Sequence, residues 1–132
     1  MNQREEIESA VREILVEILA LEPEEVTTKS RFFSDLGGES IEVLELSFHC
    51  EKRFGVPIKF QELSHASRGS GEKGILTDED VAALRKDLPF LDWPTIEAQG
   101  DLSDPEALFT VDSIVRFVEH AIESHENASA SR

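Results

Sequence analysis

The chain has 132 residues, with 28 acids against 13 bases and a net charge of −15. That charge repels nucleic acid and anionic membrane and attracts proteins with basic patches. Hydrophobic content of 39%, charged content of 31% and the absence of a membrane-length apolar run predict a soluble globular chain of one domain's length.

Cys50, the single cysteine, excludes an intrachain disulfide and fits a reducing cytoplasm. The stretch Met1–Glu6 lacks the apolar run of a signal peptide. A cytoplasmic monomer is expected.

A first helix is predicted from about Arg4 to Ala20, because Ile7, Val11, Ile14, Leu15 and Ile18 recur at spacings of three and four. Pro23 lies just beyond it. A loop follows, with Val26 and the pair Phe32-Phe33 as anchors into the core. Gly37-Gly38 interrupts regular structure, and Ser40 then opens a second helix that runs to about Phe54, ended by Gly55 and Pro57. Its exposed ridge is read as Glu42, Glu45, His49 and Lys52 or Arg53. The other positions, Ile41, Val43, Leu44, Leu46, Phe48, Cys50 and Phe54, wrap most of the circumference, which predicts a helix buried on more than one side.

Residues 67–74, rich in glycine and serine, read as a flexible stretch. A helix from Asp78 to Leu88 follows, capped by Thr77 with Asp80 three residues on, and Val81, Leu84 and Leu88 form its apolar face. Pro89 stops it, and Phe90-Leu91-Asp92-Trp93-Pro94 comes next. A short helix is placed near Pro105–Leu108. The final helix starts at Thr110 or Val111 and reaches about Ser124, on the stripe Val111, Ile114, Val115, Val118, Ala121 and Ile122. Residues 127–132 are small and polar and are expected to be a disordered tail. They contain a glycosylation sequon, Asn127-Ala128-Ser129, which carries no meaning in a cytosolic protein.

Ser40 is the one position whose chemistry stands out. A hydroxyl at a helix start, on a glycine lead-in, is approachable, and the N–H groups and partial positive charge of the helix end suit a phosphate ester. The structural alternative is that serine is simply a good helix cap. Other constellations fail on spacing. The glycines at 69–74 lack the G-K-[ST] ending of a phosphate loop, and Asp78-Glu79-Asp80 lacks the glycine and spacing of a calcium loop. The histidines 49, 65, 120 and 125 show no ligand spacing, and Cys50 reads as core. No base stands beside a nucleophile, so neither catalytic residues nor a metal are expected.

The register Phe33, Asp35-Leu36-Gly37, Glu39-Ser40-Ile41, Glu45-Leu46, Glu51, Phe54-Gly55-Val56 and Ile58 resembles the acyl carrier protein family around its phosphopantetheine attachment site. The resemblance covers the first 60 residues and returns at Thr110-Val111. Glu39 and Ile41 stand where the family usually has Asp and Leu, and Lys52-Arg53 makes basic the far end of a helix usually acidic throughout.

The resemblance implies an all-α, acyl-carrier-type four-helix bundle over residues 1–126, with a helical insertion at 61–104 where the family has a short loop. It implies that Ser40 receives 4′-phosphopantetheine from coenzyme A through a phosphopantetheinyl transferase, and that acyl groups ride on that arm as thioesters. Asp35, Glu39, Ile41, Glu42 and Glu45 would dock the transferase and acyl-handling enzymes with basic surfaces, such as an acyl-loading ligase, ketosynthase or acyltransferase. Val43, Leu44 and Phe48 would line an acyl pocket. The insertion points to a specialised carrier in fatty acid or lipopolysaccharide biosynthesis, and is expected to act on acyl-chain or partner choice rather than on folding. Two alternatives stay open: an aminoacyl or peptidyl carrier of a nonribosomal or hybrid pathway, and an unmodified helical interaction module.

Overall fold

The apolar stripe of the first segment folds as α1, Gln3–Leu19, burying Ile7, Ala10, Val11, Ile14 and Leu15. The computed structural model describes residues 3–66, 77–98 and 108–130. α1 ends at Ala20, whose φ of 53° is left-handed, and the Leu21 N–H returns to the Val16 carbonyl at 3.1 Å. A 3₁₀ turn at Pro23–Glu25 follows, then α2 at Ser40–Phe54, α3 at Phe60–Ala66, α4 at Asp78–Asp87, α5 at Trp93–Ala98 and α6 at Val111–Ala130. Among the described residues the chain is all helical, without a strand. α1 packs along both α6 and α2, and α2 packs on α3.

α2 keeps the bounds expected of it, but it is buried on one side only. Val43, Leu46, Ser47 and Cys50 face the core, whereas Ile41, Leu44 and Phe48 project outward. The spacing explains the correction. Residues 43, 46, 47, 50 and 54 already complete one stripe against α1 and α3, so 41, 44 and 48 fall on the opposite face. Gly55 closes the helix with φ 73°, its N–H bonded to the Glu51 carbonyl at 2.8 Å.

The stretch 77–98 belongs to the core. Leu91, Trp93 and Ile96 are buried within the same hydrophobic cluster as α1, α2 and α6. This burial argues against the expectation that the inserted segment acts on acyl-chain or partner choice rather than on folding. Thr77 caps α4 as expected, with Thr77 Oγ1 accepting from the Asp80 N–H at 3.2 Å and Asp80 Oδ2 accepting from the Thr77 N–H at 2.9 Å. α5 was not expected from the sequence. Asp92 precedes it and accepts from the Thr95 N–H at 3.3 Å and the Thr95 hydroxyl at 2.7 Å, and Pro94 is tolerated in its first turn. Those Thr95 bonds, with Arg116 nearby, hold the Asp92 carboxyl below its ordinary pKa. The indole N–H of Trp93 donates to the Leu88 carbonyl at 3.0 Å, and Arg85 lies over the Trp93 ring while pairing with Glu97.

α6 continues to Ala130, past Ser124 and through much of the segment expected to be a disordered tail. No glycine or proline follows Ser124 to stop it. Residues 67–74 and most of the helix placed at Pro105–Leu108 lie outside the described residues; Leu108 itself is buried. An Arg4–Glu119 fork, at 3.1 and 2.7 Å, ties α1 to α6 and lowers the Glu119 pKa.

Candidate attachment site

The approach to Ser40 is a wound loop, closed from Arg31 to Gly38 by local backbone bonds. The Asp35 and Leu36 N–H groups both donate to the Arg31 carbonyl at 3.1 Å, Gly37 donates to Phe33 at 3.1 Å and Gly38 to Phe32 at 2.9 Å. Asp35 Oδ2 closes the turn by accepting from the Arg31 N–H at 2.8 Å. The two glycines do different work. Gly37 sits at φ 72°, where a side chain strains the backbone. Gly38 is pressed onto the buried Phe32 ring, and a Cβ there would lie 2.4 Å from Phe32 Cε1. Phe32 in turn meets Phe33 and Phe109 edge-on, at centroid distances of 5.0 and 5.2 Å.

The cap of α2 is Glu39, not Ser40. The Glu39 backbone is extended, and its N–H donates to Glu42 Oε1 at 2.9 Å. Ser40 is the first residue inside the helix. Its side chain is exposed and, among the described residues, its hydroxyl has no hydrogen-bond partner. The capping alternative for Ser40 therefore does not hold: the cap is supplied next door, and the hydroxyl is spare. The N–H groups of Ser40 and Ile41 open the helix without carbonyl partners, so a phosphate ester on Ser40 Oγ would meet free donors and the positive end of the dipole. The residues present thus fit a covalently attached phosphodiester.

Asp35, Glu39 and Glu45 are exposed and Glu42 is half-buried, all around the Ser40 end of α2. Asp35 and Glu42 each use one oxygen on a neighbouring backbone N–H. Ile41, Leu44 and Phe48 are 64%, 50% and 66% exposed, one apolar stripe beside the acids. Of the three residues assigned to an acyl pocket, only Val43, 3% exposed, lies inside the bundle; Leu44 and Phe48 are surface residues. A 400 Å³ cleft runs between Lys59, Glu62 and the Phe117–His120 turn of α6, and neither Leu44 nor Phe48 lines it.

Ser47 is a further functional position that the sequence does not mark. It is buried on the inner face of α2, where its Oγ accepts from the Phe60 N–H at 3.0 Å and lies 3.2 Å from Gln61 Oε1. A serine among apolar helix positions gives no signal that it will anchor the next helix. Cys50 is buried, and burial pushes its thiol up to about 12, so it is no nucleophile. Among the described residues no cluster of His, Cys, Asp and Glu is gathered for a metal, and no helix is long and apolar enough to cross a membrane.

A spare serine hydroxyl at the start of a helix, reached through a glycine turn in an all-α chain, is compatible with a phosphopantetheine-bearing carrier, and comparison with known proteins shows that class. The sequence profile described as "Phosphopantetheine attachment site" matches residues 9–68. An acyl carrier protein of Petrotoga mobilis is 30% identical over 76 residues, 58% of this chain and 89% of the relative. One from Wolinella succinogenes is 40% identical over 52 residues, 39% of this chain and 68% of the relative. No solved structure matches the chain. The chain belongs to the acyl carrier protein family: a carrier with a covalent 4′-phosphopantetheine group, not an enzyme. The profile runs through residue 68, so α3 falls inside the matched stretch, and the segment 77–98, added to what the profile matches, lies beyond it.

Proposed function

We infer that Ser40 is the residue that bears the phosphopantetheine arm and that this chain carries acyl groups as thioesters in a specialised branch of lipid biosynthesis, fatty acid or lipopolysaccharide. The observation that carries the reading is the Ser40 hydroxyl: exposed and, among the described residues, unpartnered at the first position of α2, with its cap supplied by Glu39. Ser30 and Ser47, in the same matched stretch, are buried and hydrogen-bonded.

In the transfer, Ser40 Oγ attacks the pyrophosphate phosphorus of coenzyme A that bears the pantetheine. An O–P ester forms, adenosine bisphosphate leaves, and the serine proton passes to a base of the transferase. The Gly37-Gly38 turn and the capped helix place the Ser40 backbone, and the side chain, exposed, stays open to the transferase. Once attached, the arm supplies a thiol for thioester formation, and tethering presents the acyl group at high effective concentration to each docked enzyme.

Asp35, Glu39, Glu42 and Glu45 steer basic partners to the Ser40 end. Ile41 supplies the apolar contact among them, and Leu44 and Phe48, being exposed, extend that docking stripe instead of lining a pocket.

Incubation with coenzyme A and a phosphopantetheinyl transferase tests the assignment by intact-protein mass. The parent should gain one phosphopantetheine, and Ser40→Ala should gain none while keeping its helical circular dichroism. Modification that persists in Ser40→Ala would move the site elsewhere. A parent that is never modified would favour an unmodified interaction module.

A further inference from the structure

Arg116, in the first half of α6, joins the added segment to the rest of the chain. Its Nε donates to Asp112 Oδ2 at 2.8 Å, one turn back on α6. Its other nitrogens reach across to the added segment, 3.5 Å from the Phe90 carbonyl and 3.7 Å from Asp92 Oδ2. Around it, Phe90 stacks on His120 at a centroid distance of 4.2 Å and meets Phe117 at 6.1 Å. Arg116 is only about one-fifth exposed, so these contacts are screened less than surface pairs are.

Asp112 faces two ways. Its carboxylate holds Arg116, and its backbone N–H donates to the Thr28 carbonyl at 2.9 Å. That bond begins a short ladder between the start of α6 and the loop that leads to Ser40. Val111 N–H donates to Ser30 at 2.9 Å, Arg31 bridges Thr110, and Phe32 N–H donates to Phe109 at 3.0 Å. Phe32 is the ring on which Gly38 rests, and Gly38 lies two residues before Ser40. An unbroken series of contacts therefore runs from Phe90 and Asp92 through Arg116 and Asp112 to the Ser40 lead-in.

We propose that Arg116 is a positioning residue, through which the added segment fixes the start of α6 and, by the 28–32 ladder, the loop that presents Ser40. The added segment then acts on the attachment site from a distance, by restraining its approach. The proposal concerns the restraint, so it stands apart from the reading that Ser40 is the modified residue.

Amide hydrogen exchange on the full-length unmodified protein tests it. In Arg116→Met, which keeps the apolar stem, the amides of Phe32, Gly38, Val111 and Asp112 should exchange about tenfold faster, the scale of one lost charge-assisted hydrogen bond. Those of Leu15 and Leu46, in the centres of α1 and α2, should keep the parent rate. Arg116→Lys should recover part of the protection. Asp92→Asn, which weakens the link from the other side, should loosen the same four amides, and serves should Arg116→Met fail to fold. Acceleration spread evenly over all amides would reduce Arg116 to general stability, and unchanged lead-in amides in a folded variant would break the proposed connection. Neither result depends on whether Ser40 is modified, which the mass experiment decides separately.

Discussion

Phe32 has no exposed surface and is boxed by Phe33, Phe109 and the backbone of Gly38. A methyl group at position 38 would sit 2.4 Å from its ring, and a fully buried ring has nowhere to go. Gly38→Ala should therefore destabilise by about 1–3 kcal/mol, the usual cost of overpacking. Gly37→Ala meets no atom but strains a left-handed backbone, at roughly 1 kcal/mol. Urea denaturation of both variants checks the order; Gly38→Ala at parent stability would mean that Phe32 can shift. The sequence showed that two glycines break the chain before Ser40, but not that one is needed for its φ and the other for its missing side chain. That difference depends on Phe32 arriving from six residues away. Ser40 itself was legible as the first residue of a helix, yet its freedom from capping depends on Glu39 and Glu42, and a serine at a helix start reads by default as the cap.

At the scale of elements, α2 shows what periodicity can and cannot settle. Its ends were readable because Gly55, Pro57 and the glycine pair are local signals. Its orientation was not, because seven apolar side chains in fifteen positions flank the polar ridge on both sides and do not mark which of them turns inward. Only the packing of α1 and α3 decides that Leu46 goes in and Phe48 goes out. The two should thus respond oppositely. Leu46→Ala should cost about 2–5 kcal/mol as a buried truncation. Phe48→Ser, on a side chain that is 66% exposed, should stay within about 0.5 kcal/mol of the parent in thermal denaturation while slowing transfer by an enzyme that docks on α2. A large loss of stability in Phe48→Ser would return it to the interior. α5 escaped notice because six residues are too few to show a period, and its Pro94 reads as a breaker although it falls in the permitted first turn.

For the whole molecule the question is whether the added segment melts with the bundle or apart from it. The sequence sets it apart, since the resemblance spans the first 60 residues and resumes at Thr110, and a segment between two matched parts looks optional. Burial argues the other way. Leu91, Trp93 and Ile96 share one hydrophobic cluster with Val11, Leu46 and Ile114, so removing the segment would uncover that core. Each such side chain is worth about 1.5–3 kcal/mol of burial, against a total stability of about 5–15 kcal/mol. Arg116 and the Phe90–His120 stack add polar and aromatic ties to α6. Trp93 reports on this directly, being the single tryptophan of the chain, buried and with its indole N–H bonded to Leu88. Its fluorescence should shift to the red in one sigmoidal transition as urea is raised. That midpoint should coincide with the loss of far-ultraviolet helical signal, which α1, α2 and α6 dominate by length. A tryptophan transition at distinctly lower urea would show a segment that opens before the bundle does, and would leave the added residues as a separately folding attachment.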